Sequence, residues 1–232
     1  MFDKLLLTLY NKSVDKKRFF LYNKIIVGEI KMPEELIKLI YFIDEIHKET
    51  DKLWRNTEAF FSCNLKNILV KDIFENTNLE NMIFNYRQFL NNINPSLSQE
   101  FMKLNITKIS FRVKAQNSIE YKLTNYLLRH NNGKESIMKC LNDLYGIRII
   151  LPEYIHCEKI KEYIDNIHLK IKCTDSSKAE GYVATHLYFK IDNLVLPWEL
   201  QIWDEAHEES NIACHKKYKQ DYTKWELENK WR

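Results

Sequence analysis

Hydrophobic and polar positions along the chain change their period near residue 105. Before that point, apolar residues recur every three or four positions. Leu36, Ile40, Ile43 and His47 fall on one stripe behind a Pro33-Glu34-Glu35 opening, which predicts a helix. Leu79, Met82, Ile83, Tyr86, Leu90 and Ile93 form a second stripe. Thr77 and Glu80 have the spacing of a capping box at its start, and Pro95 is expected to end it. Residues 1–104 therefore read as a mainly helical region that packs on the remainder of the chain, with no recognisable catalytic grouping.

After residue 105 the period becomes two. Thr107, Ile109, Phe111 and Val113 alternate with Lys108, Ser110, Arg112 and Lys114, which predicts a strand. A helix is expected from Asn117 or Ser118, either a good N-cap residue. GIRIIL (146–151) is a second strand, behind a helix ending near Leu144, and a further helix covers about 153–166. After HLKIKC, YVATHLYFKI (182–191) alternates cleanly. LVLPWELQI (194–202) is expected to pair with it through a turn at Asp192-Asn193. From Asp204 the chain reads as helix with a basic cluster, HKKYK (215–219). Strands interleaved with helices over 105–232 give an α+β unit, a mixed sheet under helical cover.

Composition narrows the function. In 232 residues, 45% hydrophobic and 13% aromatic content supports a real core, and a net charge of only +3 does not imply wholesale nucleic-acid binding. No apolar run reaches transmembrane length and the start lacks a signal-peptide pattern, so no membrane contact and a cytoplasmic location are expected. Five scattered cysteines without a CxxC do not make a structural zinc site. Four glycines cannot supply a Walker loop or GxGxxG, so any nucleotide must be held by side chains.

Strand and helix periods then place the polar residues. Arg112 and Lys114 share a strand face, and Ser118 and Lys122 share a face of the next helix. Cations and a hydroxyl beside a helix N-terminus suit phosphate, although an exposed strand edge has the same pattern. Asp143 precedes one strand and Glu199 lies in another, with Gln201 on the same face as Glu199 and opposite Trp198, Leu200 and Ile202. Such a carboxylate pair could hold magnesium for phosphate chemistry; either alone fits an ion pair as well. Tyr182 and His186 share a face downstream of Lys178 and Gly181, which suits base stacking or a core aromatic.

Taken in order, RxKxxxSxxxK (112–122), DLYGIRI (143–149), Lys178 with GYxxxH (181–186), ELQI (199–202) and a helix with His215 and YK (218–219) resemble the synthetase domain of the RelA/SpoT family. The resemblance covers about residues 105–220. It implies a nucleotidyltransferase-like mixed sheet flanked by helices, with 1–104 as a helical extension. The first half has no HD dipeptide, so the hydrolase domain of long family members is not expected, and the length is similar to that of small alarmone synthetases.

The resemblance further implies transfer of pyrophosphate from ATP to a ribose 3′-hydroxyl, with Mg2+ as cofactor. It places Arg112 on the adenine, Lys114, Ser118 and Lys122 on the ATP phosphates, and Arg148 near them. Asp143 and Glu199 would bind the metal, Glu199 also acting on the attacking hydroxyl with Gln201 in support. Tyr182 would stack on the acceptor base, with Lys178 and His186 on acceptor phosphates. Three departures fall at the acceptor side: Trp203 where the family's EIQIRT has arginine, Val183 where GYR has arginine, and Glu180 where a small or amide residue is usual.

Acceptors implied are GTP or GDP, an adenine nucleotide, or, as in the family's toxic branch, the 3′ end of tRNA, with an antitoxin partner. Lys16-Lys17-Arg18 and His215-Lys216-Lys217 are candidate tRNA-facing runs. A non-catalytic nucleotide-binding module is a further alternative, and assembly into a homo-oligomer a family expectation.

Overall fold

The computed structural model describes residues 32–166, 168–178 and 180–229, and within them all side chains but those of 166, 218, 221, 222 and 224–229. Helix α1 (Glu34–Arg55) starts at Pro33, with Glu34 and Glu35 in its first turn and Lys52 and Arg55 in its last, each sign matching the helix dipole. Its stripe of Leu36, Leu39, Ile40, Ile43, Ile46, His47 and Trp54 is buried. A short helix α2 (Val70–Glu75) leads into α3 (Thr77–Met102).

Two expectations fail at α3. Its N-cap is Asn76, whose side chain accepts from the N–H groups of Asn78 and Leu79, so Thr77 is inside the helix. Pro95 does not end it either: the helix continues to Met102. An interior proline costs about 3 kcal/mol. Beyond it, however, Leu97 and Phe101 continue the stripe of Leu90 and Ile93 and are fully buried. Burying each is worth roughly 1.5–3 kcal/mol, so continuation wins.

The remaining elements are β1 (Ile109–Val113), α4 (Gln116–Arg129), α5 (Ile137–Cys140), β2 (Tyr145–Leu151), α6 (Cys157–Asn166), β3 (Ile171–Ser177), β4 (Val183–Phe189), β5 (Trp198–Asp204) and α7 (Glu208–Asn229). Single 3-10 turns lie at Asn131–Gly133 and Glu205–His207. The five strands form one mixed sheet in the order β1-β2-β5-β4-β3, with β2 and β5 parallel and the other pairs antiparallel. Helix α4 begins at Gln116, and Ala115 stands at its N-cap with no side-chain cap, so neither Asn117 nor Ser118 has that role. The helix before β2 ends at Cys140. The β4–β5 connection is also longer than a two-residue turn. Pro197 has no N–H for a ladder, and Val195 and Leu196 enter the core outside any strand before β5 starts at Trp198.

Alternation gives the sheet two different faces. Ile147, Ile149, Leu187, Phe189, Trp198, Leu200 and Ile202 join α1, α3 and α6 in the main core. Trp198 is the hinge of that packing: His47 stacks on it at 4.6 Å, Tyr145 lies 4.4 Å away, and its Nε1 donates to Tyr86 Oη at 3.2 Å. The opposite face carries Arg112, Gly146, Arg148, Glu199, Gln201, His186 and Tyr188, placed by the register of the strands.

His47 is 1% exposed, and burial pushes its imidazole down to about 3. A folded-state value below the unfolded one, about 6.5, means that only the unfolded chain takes up the proton between them. Stability from neutral His47 is complete above about pH 6.5 and is lost as the pH falls, by up to about 1.4 kcal/mol per unit. Urea denaturation across pH 7 to 4 should show this slope in the wild type and a shallower one in His47→Phe.

Candidate active site

The site begins where β1 turns into α4. The Lys114 N–H donates to the Leu144 carbonyl at 2.8 Å, which sets the end of β1 against the residue following Asp143. Within the first two turns of α4, Lys122 reaches the same carboxylate. Lys114 Nζ donates to Asp143 Oδ2 at 2.6 Å, Lys122 Nζ to Oδ1 at 3.1 Å, and Arg112 Nη2 lies 3.9 Å from Oδ2. Burial alone would raise the Asp143 carboxyl, but Lys122 and Lys114 outweigh it and hold Asp143 ionised, well below the usual carboxylate range. Burial and the neighbouring cations Lys122 and Arg112 lower Lys114, whereas for Lys122 the Asp143 charge outweighs burial and raises it.

Sheet register carries this cluster to the second carboxylate. Arg112 stands opposite Gly146, Gly146 beside Glu199, and Glu199 beside Tyr188. A Cβ on Gly146 would lie 3.3 Å from Arg112 Nε, so the glycine leaves space for the arginine stem to lie across the sheet. Glu199 is 4% exposed and both its oxygens are engaged: His186 Nδ1 is 2.9 Å from Oε1, and Gln201 Nε2 donates to Oε2 at 2.8 Å. His186 Nε2 lies 3.1 Å from Tyr182 Oη, which joins Tyr182 to the same line of polar contacts.

Arg112, Lys114, Ser118, Lys122, Asp143, Lys178, Tyr182, His186, Glu199 and Gln201 all line one cavity of about 680 Å3. Arg148 does not line it. Its guanidinium lies under the floor, 3.6 Å from the centre of the Trp203 ring, and donates to Gln201 Oε1 at 3.1 Å and to His215 Nε2 at 3.2 Å. Burial and Arg112 lower it to about 10, so it stays charged at neutral pH. Burial and Arg148 together push His215 down to about 4, leaving a neutral ring that can accept from the arginine. Trp203 is 1% exposed, and its π-face takes the place beside Arg148 that a second arginine would contest. Tyr182 is buried as well, at 6%, edge-on to Trp203 and His215 with Lys178 Nζ 5.6 Å from its ring centre.

Several supporting residues carry no sequence signal. Asn211, fully buried, donates to the Val183 carbonyl and accepts from the Val183 N–H, both at 2.8 Å, and so pins α7 to the start of β4. Ser210 Oγ donates to the carbonyl of Gly181, whose φ of +91° few other residues would adopt. Tyr188, the register neighbour of Glu199, hydrogen-bonds it and is raised mainly by burial. Arg87 of α3 donates to the Lys114 carbonyl at 2.8 Å, bracing the β1–α4 turn from the helical layer. Lys217 and Lys219 line the outer end of the cavity, Lys217 bonded to Glu180 at 3.1 Å. Lys16-Lys17-Arg18 lie outside the described residues.

Magnesium fits this donor set on one condition. Asp143 and Glu199 are hard oxygen ligands facing the same cavity, as such a cation requires. Each oxygen of both is already in a hydrogen bond, so a metal must use the remaining lone pairs and overcome the cations already gathered around Asp143. Among the described residues no ready cluster of three or more His, Cys, Asp or Glu side chains exists. No described helix is long and apolar enough to cross a membrane.

Two substitutions test this packing. Asn211→Ala leaves two buried backbone groups unpaired and should cost about 2–4 kcal/mol in urea denaturation. Trp203→Arg should also destabilise, on the order of 3 kcal/mol, because it sets a buried guanidinium against Arg148. Wild-type stability of Trp203→Arg would contradict the stacking account.

Residues 111–223 match the family model described as the region found in RelA / SpoT proteins. No curated protein matches the chain. Among solved structures, the small alarmone synthetase 2 from Bacillus subtilis is similar over 61% of this chain and 80% of its own, at 21% identity and a TM-score of 0.35. The small alarmone synthetase 1 from the same bacterium, bound to its product pppGpp, covers 62% and 83% at 19% identity and a TM-score of 0.35. A GTP pyrophosphokinase family protein from Streptococcus pneumoniae covers 60% and 77%, also at 19% and 0.35. The family match takes in both the cationic and the carboxylate side of the cavity, so residues 111–223, just under half of the chain, are similar to the region found in RelA / SpoT proteins.

Proposed function

We propose that the chain is an ATP-dependent pyrophosphokinase that transfers the β,γ-pyrophosphate of ATP to a ribose 3′-hydroxyl, with GTP or GDP as acceptor and (p)ppGpp as product. The observation that carries this reading is one cavity with a cation cluster at one side and a hydrogen-bonded carboxylate at the other. Phosphoryl-type transfer needs positioning and charge neutralisation more than covalent help, and these are the parts present.

Lys114 and Lys122 hold the donor phosphates, Ser118 donates its hydroxyl at the first turn of α4, and the positive end of the helix dipole favours the same negative charge. Arg112, lying across Gly146, covers the adenine while staying charged. Mg2+ bound between Asp143 and Glu199 would neutralise charge on the transferring group. Glu199 takes the proton of the attacking hydroxyl as that oxygen bonds to the β-phosphorus. The bond between the α–β bridging oxygen and the β-phosphorus breaks, and AMP leaves. His186 and Gln201 fix the two Glu199 oxygens, so the carboxylate is aimed before substrate arrives. Arg148 acts from below, by holding Gln201 and His215, and not on the phosphates.

A second reading rests on the cavity's outer end. Lys178, Lys217 and Lys219 converge there, a basic rim that suits the phosphodiester backbone leading to the 3′ end of tRNA as well as the phosphates of a free nucleotide. The same chemistry would then modify tRNA, as in a toxin paired with an antitoxin protein.

Glu199→Gln keeps the shape and removes the proton acceptor. It should lower AMP release from ATP and GDP by about a thousandfold or more, roughly 4 kcal/mol of transition-state stabilisation, with ATP binding nearly unchanged. Discontinuous chromatography of AMP measures the first and calorimetry the second. AMP release at the wild-type rate would defeat the assignment.

A further inference from the structure

Asp143 and its partners leave an unusual arrangement at the donor side. The carboxylate is 8% exposed, and both oxygens accept from buried ammonium groups, with a guanidinium close by. Among the described residues neither Lys114 nor Lys122 bonds any other carboxylate. Two oxygens bridging two lysines, facing an open cavity, present the same charge and geometry as one edge of a bound phosphate. The lysines cannot serve that carboxylate and an incoming polyphosphate at full strength. The three cations around the carboxylate also oppose a divalent cation there while both lysines stay in place, and Glu199 across the cavity is engaged as well.

We propose that Asp143 is a built-in stand-in for the donor's phosphate. In the free protein it occupies Lys114 and Lys122; the polyphosphate of a nucleoside triphosphate displaces it from them, and the released carboxylate then turns to the divalent cation that accompanies the polyphosphate. The inference rests on ATP being the donor. In the free site the carboxylate offsets part of the repulsion among three converging cations, whose remaining positive charge keeps the site poor in metal until the donor arrives. Polyphosphate and metal thereby become coupled ligands, each favouring the state the other needs.

Calorimetry with inorganic tripolyphosphate in EDTA tests the exchange in the whole chain. Asp143→Asn removes the internal competitor and should bind tripolyphosphate about tenfold tighter than the wild type, or better. Glu180→Gln removes a carboxylate that lines the same cavity but pairs with Lys217, and should stay within about threefold, which controls for general electrostatics. Equal or weaker binding by Asp143→Asn, or an equal gain in Glu180→Gln, overturns the stand-in role. Tripolyphosphate binding to none of the three proteins would overturn the donor reading along with it.

A second measurement needs no variant. In equilibrium dialysis the wild type should retain Mn2+ only when tripolyphosphate is present. Micromolar Mn2+ binding by the wild type alone would overturn the proposal even if Asp143→Asn failed to fold.

Discussion

The buried carboxylate of Asp143 is the point on which the site depends. Three elements deliver a cation to it: Arg112 from the strand, Lys114 from the turn, Lys122 from the helix. Losing either lysine would leave charge unpaired in a place water reaches poorly, so the ion cluster fixes the angle at which β1 hands over to α4. The same geometry keeps the ammonium groups together, which their mutual repulsion would otherwise oppose. The structure thus gathers its cations around an acid of its own.

The sheet transmits that arrangement to the second carboxylate. Its strict two-residue alternation sends Trp198, Leu200 and Ile202 into the core and Glu199, Gln201 and Trp203 to the other face. Trp198 is locked by His47 and Tyr86 from α1 and α3, so the helical layer steadies the strand that carries Glu199 without touching the cavity there. Arg87 extends the same support to the Lys114 turn. Residues 32–104 are therefore tied to the site through backbone and core contacts, and none of them lines the cavity.

Periodicity makes part of this legible in the sequence. The alternation in 182–202 places Glu199, Gln201 and His186 on one face, and the four-residue spacing of Ser118 and Lys122 turns both toward the cavity. Fold class follows from strands interleaved with helices. Contacts that depend on tertiary detail are not legible. Asn211 is a single asparagine in a helix with nothing in its neighbours to mark it, and Arg148 reads as one more cation until its stacking on Trp203 is seen. Pro95 misleads because the local rule for an interior proline carries no weight for Leu97 and Phe101, buried beyond it. The departure at Trp203 is visible in the sequence, but its meaning is not: the ring lies against the Arg148 guanidinium, so the change alters packing as well as charge.

The proposed transfer of pyrophosphate from ATP would leave a distinctive pair of products. Wild-type protein given ATP labelled on the γ-phosphate, with GDP, GTP or deacylated tRNA in turn, should put label on one of the acceptors and form AMP in equal amount. Release of ADP with label, or intact ATP with every acceptor, would rule out pyrophosphate transfer at this site.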